Sequence, residues 1–100
     1  MLLKAAFIFI APEADSTVHQ AVIPSPVVEL HVVGVKNYGE AVLVAGRLAA
    51  EGITAFELCA GFGVEGVAKI KAAVGEAMVG VVRFDTHPGL GNKSGDELFQ

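Results

Sequence analysis

The chain has little cysteine, little basic charge and no long hydrophobic run, and each shortage removes a class of protein. Its single cysteine, Cys59, excludes an intrachain disulfide and a cysteine-rich zinc site, and it fits a reducing compartment. Seven Lys and Arg against eleven Asp and Glu leave a formal charge of −4 and a pI near 5.2. Nucleic acid rewards clustered bases, whereas these seven are scattered with no aromatic ladder among them. No nucleic-acid partner is expected. The longest strictly apolar run, Ala5–Ala11, is seven residues, against roughly 20 for a membrane helix. No membrane partner is expected either. Read as a signal peptide, Met1–Ala11 would start at Lys4, but Pro12-Glu13-Ala14-Asp15 is a poor cleavage region. A cytoplasmic location is therefore the expectation. His19, His31 and His87 show no metal-ligand spacing, so no metal site is expected.

What is present is apolar. Of the 100 residues 53% are hydrophobic, and mean hydropathy is +0.58. One domain spanning 1–100 fits this length, and so small a domain leaves much of its surface uncovered. Some of that apolar surface is expected to meet another subunit, which points to a homo-oligomer.

Four apolar runs alternate with helical patterns. Leu3–Ala11 reads as a strand buried on both faces and stopped by Pro12. Asp15 or Ser16 then caps a short helix to about Val22, or the segment is an ordered loop. Val28–Val35 is strand two. Asn37 caps a helix over Tyr38–Glu51, with Glu40 at capping-box spacing and Gly52 as its stop. Leu43 and Val44 make that helix apolar nearly all round, again suggesting a subunit contact. Ile53–Ala60 is strand three, Val64–Val74 a further helix, and Met78–Asp85 strand four. Thr86–Gln100 is a glycine-rich tail, expected to be ordered and held by the domain or a neighbour. The sum is an α/β fold, (βα)₃β, with four mostly parallel strands. It is either half-barrel-like or a small doubly wound sheet.

Side chains alternate faces along a strand. Glu29 pairs with His31, Glu57 with Cys59, and Arg83 with Asp85, and the three pairs are expected on one common side. Leu30 and Val32, Phe56 and Leu58, and Val82 and Phe84 are left for helix packing. Near the carboxyl ends of the strands, Cys59, the Gly61-Phe62-Gly63 turn and Arg83 form a candidate anion-binding set. The turn would offer backbone N–H groups at a helix N-terminus, and Arg83 a bidentate clamp. Asp85, His87 and Glu57 are the candidate proton-transfer groups. The plainer alternatives are a tight strand-to-helix turn and a Glu57–Arg83 ion pair. Gly89–Ser94 is not a phosphate loop, because Asn92 stands where a glycine is needed before Lys93. Cys59 as a nucleophile would need a base such as His31 or His87.

The blocks Glu57–Gly63 (ELCAGFG) and Gly80–Asp85, with His87-Pro88-Gly89-Leu90, resemble signatures of a family of short bacterial and archaeal proteins of unknown function. The resemblance runs along nearly the whole chain and implies a compact α/β domain without an established activity. A fainter similarity to (β/α)₈-barrel lyases is confined to Gly61–Val67. Those enzymes of the Schiff-base kind carry a lysine within a strand, and strands two to four have none. Lys4 sits at the wrong end of strand one. Two functions remain open on these grounds. One is binding of a small carboxylate or phosphate, with proton transfer, by a cofactor-unspecified site. The other is a non-catalytic homo-oligomeric module.

Overall fold

The computed structural model describes every residue except Arg83. Five strands form one sheet: β1 (Leu3–Ile10), β2 (Gln20–Pro24), β3 (Val28–Val35), β4 (Ala55–Leu58) and β5 (Met78–Val81). Helices α1 (Tyr38–Ala50) and α2 (Val64–Ala73) follow β3 and β4. A single 3₁₀ turn at Pro88–Leu90 and a short helix, α3 (Gly95–Leu98), complete the tail.

The protein is thus a mixed α/β domain with one strand more than the four expected. The extra strand is β2, which replaces the short helix expected from Asp15 to Val22. Val22, Ile23 and Pro24 lie extended at the sheet edge, where proline's missing N–H costs no ladder bond. The expected fourth strand stops at Val81, before Asp85.

Strand order is β2-β3-β1-β4-β5, with β2 alone antiparallel. Because β1 lies between β3 and β4, the sheet is of the open, doubly wound type and not a sequential half-barrel. Right-handed crossovers that travel in one direction across a sheet put their helices on one face. Both helical crossovers, β3 to β4 and β4 to β5, run the same way. Accordingly α1 and α2 pack side by side against Ala6, Ile8, Ile10, Val33, Val35, Phe56 and Leu58. In a full doubly wound fold the link from β1 to its neighbour would put a helix on the other face. Here that link is the loop 11–19 and β2, so among the described residues the second face receives no helix.

The loop is held from α1. Asn37 caps the helix by accepting the Glu40 N–H at 2.9 Å. Glu40 does not close a capping box on Asn37. Its carboxylate reaches the Lys36 N–H at 2.7 Å and the Ser16 hydroxyl at 3.0 Å, tying the loop down.

Candidate functional site

Register decides which polar groups meet. Ala6 pairs with both His31 and Phe56, so Glu29 and His31 share the helix-covered face. Phe7 pairs with Val32 and Glu57, and Glu57 with Gly80, so Glu57 is on the opposite, open face. Alternation within β3 and β4 is as expected, yet Cys59 and Asp85 lie beyond the ends of β4 and β5, and the expected common polar side does not form. Leu30 and Val32 face away from the helices, beside Glu57.

Glu29 and His31 form their own pair, His31 Nε2 to Glu29 Oε2 at 2.8 Å. The hydrogen bond from His31 holds the Glu29 carboxyl below its ordinary value against the opposing effect of burial. Glu57 is exposed and lines a cavity of about 290 Å³ with Leu58, Gly80, Val81 and Val82.

Among the candidates near the strand ends, the glycine turn has the most developed surroundings. Gly61 is a glycine because a Cβ there would stand 2.7 Å from Ile10 Cγ2. Cys59 Sγ accepts the Ile10 N–H at 3.4 Å and the Gly61 N–H at 3.3 Å, a half-buried position beside the core. Phe62 is fully buried and stacks on Tyr38 with centroids 5.7 Å apart.

The N-terminus of α2 does receive an anion, and it is the chain's own. Asp96, from α3 in the tail, accepts from the N–H groups of Glu65 at 3.1 Å and Gly66 at 3.3 Å. It also accepts the Tyr38 hydroxyl at 3.0 Å, and that oxygen in turn accepts the Gly63 N–H at 2.9 Å. A Cβ on Gly63 would collide with the Asp96 carboxylate, and one on Gly95 with the Gly61 carbonyl oxygen. These glycines make room for the tail. Burial, with Asp96 as acceptor, pushes the Tyr38 hydroxyl up to about 12. Phe99 is buried against Tyr38, and its carbonyl accepts the Tyr38 N–H at 3.1 Å.

The remaining candidates take local roles. His87 Nδ1 accepts the Gly89 N–H at 2.9 Å, capping the 3₁₀ turn, and its ring stacks on Phe84 at 5.1 Å. Asp85 is exposed and accepts the Thr86 N–H at 2.8 Å. Arg83, the expected clamp, lies outside the described residues. Among the described residues no three His, Cys, Asp or Glu side chains gather as metal ligands.

Asp96 and Tyr38 were not legible as partners of the turn. The sequence does carry half of the signal, since Ser94 and Glu97 have capping-box spacing and form that box around α3. Nothing local says where the carboxylate between them docks.

Fold and site together define a small α/β protein in which the start of α2, beside the glycine turn, is capped by the C-terminal segment. A family model described as a family of unknown function (DUF6506) matches residues 3–97, and the chain belongs to that family. Neither the curated proteins nor the solved structures gave a match. Among the described residues no helix is long and apolar enough to cross a membrane.

Proposed function

We propose that this protein acts as a homodimeric module in which two copies join through the sheet face that carries no helix. The observation that supports this is the composition of that face. It presents Leu3, Phe7, Phe9, Ile23, Leu30, Val32 and Met78, with Glu57 the one charged side chain among the described strand residues. Met78 is 74% exposed and Ile23 52%. Parallel sheets are almost always covered on both sides, and apolar patches of this extent mark interfaces.

A second copy suits the face better than a charged partner, because a near-neutral apolar surface is complementary to itself. Strand spacing of about 4.8 Å and a rise of about 3.3 Å per residue give roughly 500 Å² per copy. Two copies would then bury about 1,000 Å², where specific interfaces begin. A two-fold axis lets the two Glu57 carboxylates stand apart.

Binding of an external anion at the Gly61–Gly63 turn is the weaker reading, since Asp96 already engages the Glu65 and Gly66 N–H groups. Light scattering tests the dimer directly. The expected mass is twice the 10.3 kDa chain. The double variant Ile23→Lys, Met78→Lys should be monomeric with unchanged circular dichroism, as both side chains lie outside the core. A monomeric parent at micromolar concentration, or a variant that still dimerises, would sink the proposal.

A further inference from the structure

A second cavity lies on the helix-covered side, between β2, β3 and the end of α1. It measures about 340 Å³ and is lined by Gln20, Val22, His31, Arg47, Leu48 and Glu51, among others. This is within the range of small-molecule sites. It sits over the middle of β3 and the start of β2, under the last turn of α1, and shares no residue with the turn that Asp96 engages.

Its polar groups are arranged in complementary pairs with capacity left over. His31 Nε2 lies 2.8 Å from Glu29 Oε2, and an ionised carboxylate only accepts, so Nε2 is the nitrogen that donates to it. His31 Nδ1 has no hydrogen-bond partner among the described residues. Glu51 stands 3.8 Å from Arg47 Nε, leaving the terminal guanidinium nitrogens for another acceptor. Val22, Val33 and Leu48 supply an apolar wall. Arginine's terminal nitrogens match a carboxylate in a two-pronged geometry. An imidazole lone pair matches a hydroxyl.

We infer that this cleft binds a small hydroxy acid with an apolar body: the carboxylate on Arg47, the hydroxyl on His31 Nδ1, and the hydrocarbon against Val22, Val33 and Leu48. Glu29 acts as a positioning residue that fixes the imidazole tautomer. The site is independent of the dimer proposed above, because it opens on the other face of the sheet.

The test is amide NMR titration of the full chain with 2-hydroxy-4-methylpentanoate. Saturable shifts confined to Gln20, His31, Arg47, Glu51 and their neighbours are expected. Arg47→Gln should weaken binding roughly tenfold or more, through loss of a charge-assisted pair. Val22→Trp, at an exposed position, should fill the cleft and abolish the shifts without unfolding the protein. 4-Methylpentanoate, which lacks the hydroxyl, should bind several-fold more weakly, on the scale of about one hydrogen bond. No saturable shift up to roughly 10 mM, well beyond ordinary small-ligand affinities, would overturn the site. Undiminished binding by Arg47→Gln would do the same, and equal binding of the acid without hydroxyl would remove His31 from it. These shifts are read residue by residue, so their failure is distinguishable from a failure to dimerise.

Discussion

The two faces of the sheet are made by the same strands and are almost equally apolar, yet they end in different states. On one, Ala6, Ile8, Phe56 and Leu58 are sealed by α1 and α2. On the other, one residue along in β1, Phe7 and Phe9 stay partly open. Hydrophobicity does not separate them. Connectivity does: two crossovers deliver helices to the first face, and the link from β1 delivers a loop and an edge strand instead of a third helix. An apolar face without its cover is stable only when something else covers it, which is why a second copy is expected there.

The sharpest way to break this comparison is a matched pair of truncations. Phe56→Ala, in the sealed core, should cost about 3–5 kcal/mol in urea unfolding. Phe7→Ala, in the monomeric double variant, should cost only about 1–2 kcal/mol, because less of its surface is buried. Equal losses would mean that the second face is already covered within one chain. Closure of the strand ends can be tested next. Gly95→Ala should cost about 1–3 kcal/mol by overpacking against Gly61, read as a lower urea midpoint. An unchanged midpoint would show that the tail does not contribute to stability.

Acid titration examines the loop that stands where a helix would be. For Glu40, burial would raise the carboxyl, but hydrogen bonds from Lys36 and Ser16 prevail and hold it below its ordinary 4.5. A depressed native value means that the contribution is complete above pH 4.5 and is lost as pH falls through the native value. Urea midpoints should therefore decline on acidification below that point, and Glu40→Gln should flatten the decline. An identical acid limb in parent and variant would show that Glu40 does not anchor the loop. The smallest effect belongs to Gly80→Ala on the open face. A Cβ there meets nothing within 4 Å, so stability should stay within about 0.5 kcal/mol, measured as thermal midpoint. A large loss in the dimer alone would instead put Gly80 in close contact across the interface.

Much of the fold was legible because it follows from local chemistry. Val28–Val35 is a strand with the expected ends, α1 begins at Tyr38 after its Asn37 cap, and α2 begins at Val64 as its periodicity predicts. The helix expected over about 15–22 does not form: 15–19 is the ordered loop that was the alternative, and from Gln20 the β-branched run prevails over the helix-start signal. An edge strand needs a partner strand that sequence does not reveal. The candidate site was legible only in pieces. The glycine turn, Cys59 and Glu57 were singled out, while Asp96, some thirty residues beyond the turn, was not. That Glu29 and His31 share a face could be read from their spacing, but not their 2.8 Å contact or the face on which they lie.

The sequence by itself determined most of the strands and helices, though not β2, and which residues alternate within β3 and β4. These depend on neighbours a few residues apart. Only the tertiary structure decided that β3 inserts between β1 and β2, that Glu57 and His31 fall on opposite faces, and that Asp96 closes the start of α2. Strand register and tail docking are set by packing between distant segments, and a shift of one residue in register exchanges the two faces.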